Sequence, residues 1–364
     1  MSENVADFDY RDLREKAHFL RYSYVEEIDK YLLALESSLL DHGMNVRWAQ
    51  NERSLCNSIV DLLPQKQYNR VCFDMPSIPD YFNNTGNLMQ ISPVEAVANG
   101  DYDVETLILN ADFAISSNGS LVFIDRKSKD CFNDVNNIIV VINIDDILIS
   151  HEYLSLFLSL KGKNGKFSKD VKIITKPYEK VVADTFQSSD SLGYTKEKVK
   201  ISVILYENGI SELLNDVSLR DSLYCIHCGR CLEVCPVANA SHGMSPINII
   251  KHNCLDVNNK SQSIFQQTTL CGNCQDVCPV NIPMTDMLIY EMNLVNGNSN
   301  YSRNKQLNSI FSKRGKLNKF NKPLLKYFFN KRFFGKNRML YTYFKNQKNI
   351  FFNIARNIPE EANE

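Results

Sequence analysis

Two short segments hold seven of the eleven cysteines in this 364-residue chain. CIHCGRCLEVCP places Cys225, Cys228, Cys231 and Cys235 ahead of Pro236, and CGNCQDVCP places Cys271, Cys274 and Cys278, again with a proline following. Three thiolates at three-residue spacing can wrap one iron–sulfur cube. A fourth, one residue further on and followed by proline, turns away toward a second cube. The expected pairing is therefore crossed: Cys225, Cys228, Cys231 and Cys278 on one cluster, and Cys235, Cys271 and Cys274 on the other. Gly229 and Gly272 let the backbone approach the sulfides and donate N–H bonds that tune the potential. Zinc is the competing chemistry, but a structural zinc takes four ligands in two pairs across a loop and has no use for CxxCxxCxxxCP. Two [4Fe-4S] clusters are the expected cofactors.

One ligand is missing from this scheme. A complete second motif carries cysteine at position 268, where this chain has Thr268. Three readings stay open: a [3Fe-4S] cluster, a four-iron cluster with an exchangeable or non-cysteine ligand, or a fourth thiolate lent from elsewhere. Cys254 is the obvious lender, although a small core thiol is its plainer role. His242 and His252 are lesser candidates. Cys56, Cys72 and Cys131 sit among apolar neighbours and read as packing residues.

Around these motifs the chain must supply domains that position them. Its length suggests two domains, and 44% hydrophobic with 23% charged residues is ordinary for a globular protein. The net charge of −1 hides an asymmetry: residues 301–364 hold fifteen Lys/Arg against three Asp/Glu, leaving the rest acidic. The start MSENVADFDYRDLREK has no apolar leader segment, and the longest apolar runs are too short for a bilayer, so a cytoplasmic, reducing location is expected. In that compartment the cysteines are ligands or packing residues and not a disulfide framework.

The apolar period over residues 9–43 (Leu13, Ala17, Leu20, Tyr24, Ile28, Leu32, Leu35, Leu39) predicts one helix ended by Gly43. Strands are expected at 44–49 and 70–74, with a helix over Arg53–Leu63 between them and mostly loop over 75–102. ADFAIS (111–116) and SLVFID (120–125) flank Asn118-Gly119 as a hairpin. Strands at 136–143, 171–175 and 199–206, and a helix over Asp145–Leu160, complete an α/β domain with a mixed or parallel sheet over 1–220. An all-α ferredoxin domain with two clusters is expected over 221–295, then a basic, aromatic extension over 296–364. The turn Asn118-Gly119-Ser120 is a candidate anion cradle or a plain hairpin turn. Asp112 is a candidate site carboxylate or a solvated strand end. The chain lacks GxGxxG and GxxxxGK[ST], and no catalytic residue is assigned.

CIHCGRCLEVCPV with SHG and SPI, then TTLCGNCQDVCPVNIP, resembles the lactate utilisation protein B family of iron–sulfur proteins. ADFAISSNGSLVF, NNIIVVINIDDIL and LYENGISELLND extend the resemblance upstream, over roughly residues 10–295. The resemblance implies an N-terminal lactate-utilisation (LUD) type α/β domain joined to a ferredoxin domain, and the seven cysteines as ligands. Thr268 falls where that family carries a small hydroxylic residue. The implied role is an electron-transfer subunit of a complex oxidising lactate or a related 2-hydroxyacid, without a complete active site of its own. Its implied partners are a cysteine-rich-domain protein and a second LUD protein. The chain departs from the family in being shorter, in carrying FDMPSIPDYF (73–82) where the family has a Lys-Ser stretch, and in lacking most of the segment that follows.

A different class of function, a redox- or oxygen-sensing or assembly protein with a labile cluster and a degenerate LUD domain, is motivated by Thr268 and the shortened α/β domain. The basic tail, rich in Phe and Tyr, reads either as a docking element for an anionic membrane surface or acidic partner, or as a helical extension packed on the chain's own acidic body. Nucleic acid is not an expected partner, because the tail has no recognition fold beside it.

Overall fold

NIIVVIN, at residues Asn137–Asn143, is apolar on both faces, as a strand must be when it lies in the middle of a covered parallel sheet. A computed structural model shows it there. The structure describes residues 5–64, 71–75, 90–91, 104–126, 128, 131–162, 170–184, 193–241, 244–255 and 268–296. Contacts divide the chain into two units, Met1–Asn215 with Leu223–Cys228, and Asp216–Ser222 with Gly229–Glu364.

The first unit is a mixed α/β fold. Its strands are β1 (Asn45–Ala49), β2 (Val71–Asp74), β3 (Gln90–Ile91), β4 (Thr106–Asn110), β5 (Phe113–Ile115), β6 (Ser120–Ile124), β7 (Asn137–Asn143), β8 (Ile147–Leu148), β9 (Val171–Ile174), β10 (Glu179–Asp184), β11 (Gly193–Lys198) and β12 (Lys200–Tyr206). Six of them form a parallel sheet in the order β1-β12-β7-β4-β2-β3. A second sheet, β8-β5-β6-β9, is mixed, and β10 and β11 form an antiparallel ribbon. Apolar residues of the parallel sheet (Val71, Phe73, Ile108, Ile139, Val141 and Ile204) pack with Leu55, Cys56 and Ile59 of the helix α3 (Glu52–Leu62). Asn51 begins that helix with a capping box, its side chain accepting from the Ser54 N–H and Ser54 Oγ accepting in return.

Two expectations are corrected. The helix over 9–43 is two helices, α1 (Val5–Glu26) and α2 (Ile28–Asp41), parted at Glu27, whose φ of −122° and ψ of 35° leave the helical region. The helix over Asp145–Leu160 begins only at Leu154 (α4, Leu154–Lys161). Its predicted first turns are instead a turn and the strand β8, because β5 offers pairing there: the Ala114 and Ser116 N–H groups donate to the Asp146 and Leu148 carbonyls at 3.1 and 2.8 Å. TLILN, not expected as an element, is the central strand β4. Most of 75–102 lies outside the described residues, as does the tail from 297 onward.

The hairpin of β5 and β6 pairs Phe113 with Val122 and Ile115 with Ser120. Its turn is filled, not open. Gly119 has φ +63°, and a Cβ there would stand 3.1 and 3.2 Å from the backbone of Ser38 and Leu39 in α2. Asn118 Oδ1 is already occupied by the Ser120 N–H at 3.1 Å. The anion-cradle reading of Asn118-Gly119-Ser120 therefore gives way to a packed turn. Gly119→Ala should destabilise by about 1–3 kcal/mol, from left-handed strain and a backbone clash, read as a lower urea midpoint at unchanged slope.

Candidate metal centre

The two cysteine segments fold into the same local shape. In the first, His227 (φ 53°) and Gly229 (φ 76°) are left-handed on either side of Cys228, and the chain then enters the short helix Arg230–Glu233. In the second, Leu270 (φ 54°) and Gly272 (φ 85°) flank Cys271, and the short helix Asn273–Asp276 follows. The backbone bonds repeat. Leu232 and Glu233 donate to the Gly229 carbonyl at 3.0 and 3.2 Å, and Gln275 and Asp276 donate to the Gly272 carbonyl at 2.9 and 3.2 Å. Cys235 closes one turn on Leu232, and Cys278 closes the other on Gln275. The helices are too short to be stable alone, so the left-handed residues and these bonds set the thiol directions. No side chain prefers φ > 0 as glycine does, which is why Gly229 and Gly272 occupy the sharper position.

Three of the sulfurs accept backbone hydrogen bonds. The His227 N–H donates to Cys225 Sγ at 3.3 Å, the Ala238 N–H to Cys235 Sγ at 3.5 Å, and the Ile282 N–H to Cys278 Sγ at 3.5 Å. Such bonds stabilise sulfur that carries negative charge, as a thiolate ligand does. Within the second unit, burial first, and then the charges of Cys271, Cys231 and Cys235, push the Cys274 thiol up to about 12. Crowded thiols of this kind repel one another as bare thiolates, and a multivalent cation or cluster relieves that repulsion. Cys225, Cys231, Cys235, Cys274 and Cys278 are buried, Cys228 is partly so, and Cys271 is exposed. The donor set fits an iron–sulfur group.

Thr268 is described, and its Oγ1 accepts the Leu270 N–H at 3.1 Å. Cys254 falls in the helix Pro246–Leu255, but its side chain, like those of His242 and His252, lies outside the described residues.

In the first unit, the segment Leu223–Cys228 is held by groups that the sequence analysis did not single out. Arg21 of α1, 1% exposed, donates to the carbonyls of Ile147 and Leu223 at 2.8 and 2.7 Å, and to that of Asp145. Tyr24, one turn on, donates its hydroxyl to the Ile144 carbonyl. His227 Nε2 stands 3.3 Å from Asp146 Oδ1 and 3.9 Å from Asp145 Oδ2. Burial raises the Asp146 pKa; His227 opposes that shift, and Asp145 adds to it. A signal for Arg21 was in the sequence, a charged residue four after Ala17 on an otherwise apolar stripe. The aspartate pair had no such signal, because its partner is distant along the chain.

Asp112 is neither an open site carboxylate nor a solvated strand end. It accepts from Arg126 at 2.7 Å, Lys161 at 2.8 Å and the Ile124 N–H at 2.9 Å. Burial acts to raise its pKa but is outweighed by Lys161 and Arg126, which hold it below the usual carboxylate value. A carboxyl lowered on folding stabilises the fold above its unfolded pKa, and that stabilisation is lost as pH falls through the lowered folded value. Asp112→Asn should therefore cost roughly 1–3 kcal/mol at neutral pH by leaving two partly buried cations without their carboxylate. The gap from wild type should narrow below about pH 4 in acid-unfolding curves. Cys56, Cys72 and Cys131 are buried in the first unit, with Cys131 hydrogen-bonded to Cys72.

Residues 221–282 match the family of 4Fe-4S dicluster domains. The chain is similar to lactate utilization protein B of Bacillus cytotoxicus, 26% identical over 196 residues, or 51% of this chain and 39% of that one. It is similar also to lactate utilization protein B of Macrococcus caseolyticus, 25% identical over 194 residues, or 50% of this chain and 38% of that one. The match thus spans about two fifths of the length of these curated relatives. Among solved structures, a DUF162 family protein from Deinococcus radiodurans aligns with a TM-score of 0.35 and 13% identity, over 50% of this chain and 98% of that one. The resemblance drawn from the motifs is thereby met by the relatives the chain matches.

Proposed function

We propose that this iron–sulfur protein, similar to lactate utilization protein B, is an electron-relay subunit of a complex oxidising lactate or a related 2-hydroxyacid. The observation that carries the reading is the repeated cysteine turn inside the dicluster match. In this reading Cys225, Cys228, Cys231 and Cys278 hold one cluster, and Cys235, Cys271 and Cys274 hold the other. When bound, the clusters supply one-electron redox chemistry. The chain's own residues do the rest: the left-handed turns aim the thiols, backbone N–H groups neutralise sulfur charge, and burial keeps water from most of the ligands.

The substrate is oxidised on a partner in this account. Asp112, the candidate site carboxylate of the sequence analysis, is committed to Arg126 and Lys161. A cysteine-rich-domain protein and a second LUD protein are the proposed partners, and the basic tail over 301–364 is the proposed docking element. Among the described residues no helix is long and apolar enough to cross a membrane.

A second reading, a labile cluster that senses oxidant, draws on Thr268 standing where a thiolate ligand is expected. Anaerobic redox titration of the reconstituted chain separates the two. The relay reading predicts reversible one-electron reduction of both clusters by dithionite, repeated over several cycles, and no reduction by lactate without partners. Irreversible loss of both clusters on the first oxidation supports the sensor instead, and reduction by lactate alone contradicts a relay without an active site.

A further inference from the structure

Superimposing the two turns by their sequence register puts Thr268 in the place of Cys225, Cys271 in that of Cys228, Cys274 in that of Cys231, and Cys278 in that of Cys235. The first of these correspondences is more than spacing. Cys225 Sγ accepts the backbone N–H two residues on, from His227, at 3.3 Å. Thr268 Oγ1 accepts the backbone N–H two residues on, from Leu270, at 3.1 Å. In both turns the donor is a non-glycine residue forced to positive φ, 53° and 54°. The same strained backbone thus presents a sulfur in one turn and an oxygen in the other. Left-handed backbone costs a residue such as Leu270 energy that a free loop would release. The second turn thus carries the geometry of the first, with an oxygen where the first has a sulfur.

We propose that Thr268 occupies the fourth corner of the second cluster and leaves the iron at that corner exchangeable. The inference rests on the reading above that Cys235, Cys271 and Cys274 hold a cluster. A neutral hydroxyl is a far weaker iron ligand than a thiolate, since its proton is not lost near neutral pH. Thr268 therefore positions water or a small anion on that iron instead of replacing the cysteine. Cys271, the next ligand in the turn, is exposed, so solvent reaches this edge. In the first turn the equivalent Cys228 is partly buried, and a sulfur completes the set.

The step this permits is balanced with an external one-electron oxidant such as ferricyanide. Cys235, Cys271 and Cys274 would hold a [4Fe-4S]2+ cluster that could give one electron to ferricyanide and release Fe2+, and the same three thiolates would then retain [3Fe-4S]+. Ferrous iron with a reductant returns the electron and refills the corner. The experiment uses the full chain, loaded anaerobically, treated with one equivalent of ferricyanide and followed by EPR. Isotopic 57Fe2+ and dithionite are then added, and incorporation is read by Mössbauer spectroscopy.

Wild type is expected to develop the three-iron EPR signal from about half of its clusters and to take up about one 57Fe per chain. Thr268→Cys, which restores the ligand, should suppress both signals at least tenfold, whereas Thr268→Ser should keep them. Two full clusters in wild type without a three-iron signal or 57Fe uptake would overturn the inference and leave the two-cluster reading standing. In that event Cys254→Ser should create the exchangeable site, marking Cys254 as the lender. Iron for only one cluster would overturn the two-cluster reading itself.

Discussion

Replacing Cys228 with serine is expected to remove about four of roughly eight irons per chain, and with them one of the two cluster signals. The cysteine lies between two left-handed residues, His227 and Gly229, which set the direction of its thiol. Serine preserves the shape of that turn but not the soft, readily ionised sulfur that iron requires. The remaining cluster should persist, because the proposed crossed pairing assigns Cys235, Cys271 and Cys274 to the other set. Iron and sulfide analysis, with EPR of the dithionite-reduced protein, measures the effect. Loss of all iron would show that the second cluster depends on the first. Loss of none would remove Cys228 from the ligand set.

The second large effect concerns the fold that carries the first turn. Arg21→Met should destabilise the α/β unit by roughly 3–5 kcal/mol, a large share of the stability of an ordinary domain. Methionine fills much of the space left by the arginine stem. It leaves the carbonyls of Asp145, Ile147 and Leu223 without their donor, in a site that is 1% exposed. Replacing a buried charge with an apolar side chain is often harmless when its partner is replaced too. Here the partners are backbone carbonyls, and they stay. Arg21→Lys should recover only part of the loss, since an ammonium has no planar fork to reach three carbonyls at once. Urea unfolding monitored by circular dichroism tests both variants. A Met variant within 1 kcal/mol of wild type, on the scale of an ordinary surface change, would contradict this role.

The site was far more legible in the sequence than its supports. Cysteine chemistry is written in local spacing, so the two turns and the gap at Thr268 could be read directly. Strands with long apolar runs, Asn137–Asn143 and Lys200–Tyr206, were equally plain. TLILN was missed because three apolar residues between Thr106 and Asn110 make too short a run to separate strand from loop. The ribbon of Glu179–Asp184 and Gly193–Lys198 was missed because it is charged and carries little apolar alternation. Ile147 and Leu148 fit a helical period with Leu154 and Phe157, yet pairing with Ala114 and Ile115 took them into a sheet. The contact of His227 with Asp146 joins segments distant in the chain, and no local pattern announces it. Thr268 reads from sequence as a missing cysteine, and the Leu270 N–H bond shows its hydroxyl doing what the Cys225 sulfur does.

The central claim is that the seven cysteines hold two clusters. Anaerobic purification followed by iron, sulfide and zinc counting on the full chain tests it most directly. The account predicts about eight irons and about eight sulfides per chain, one iron fewer if the Thr268 corner has emptied in handling, and no stoichiometric zinc. Fewer than about six irons in fully loaded protein, or zinc in their place, would contradict it.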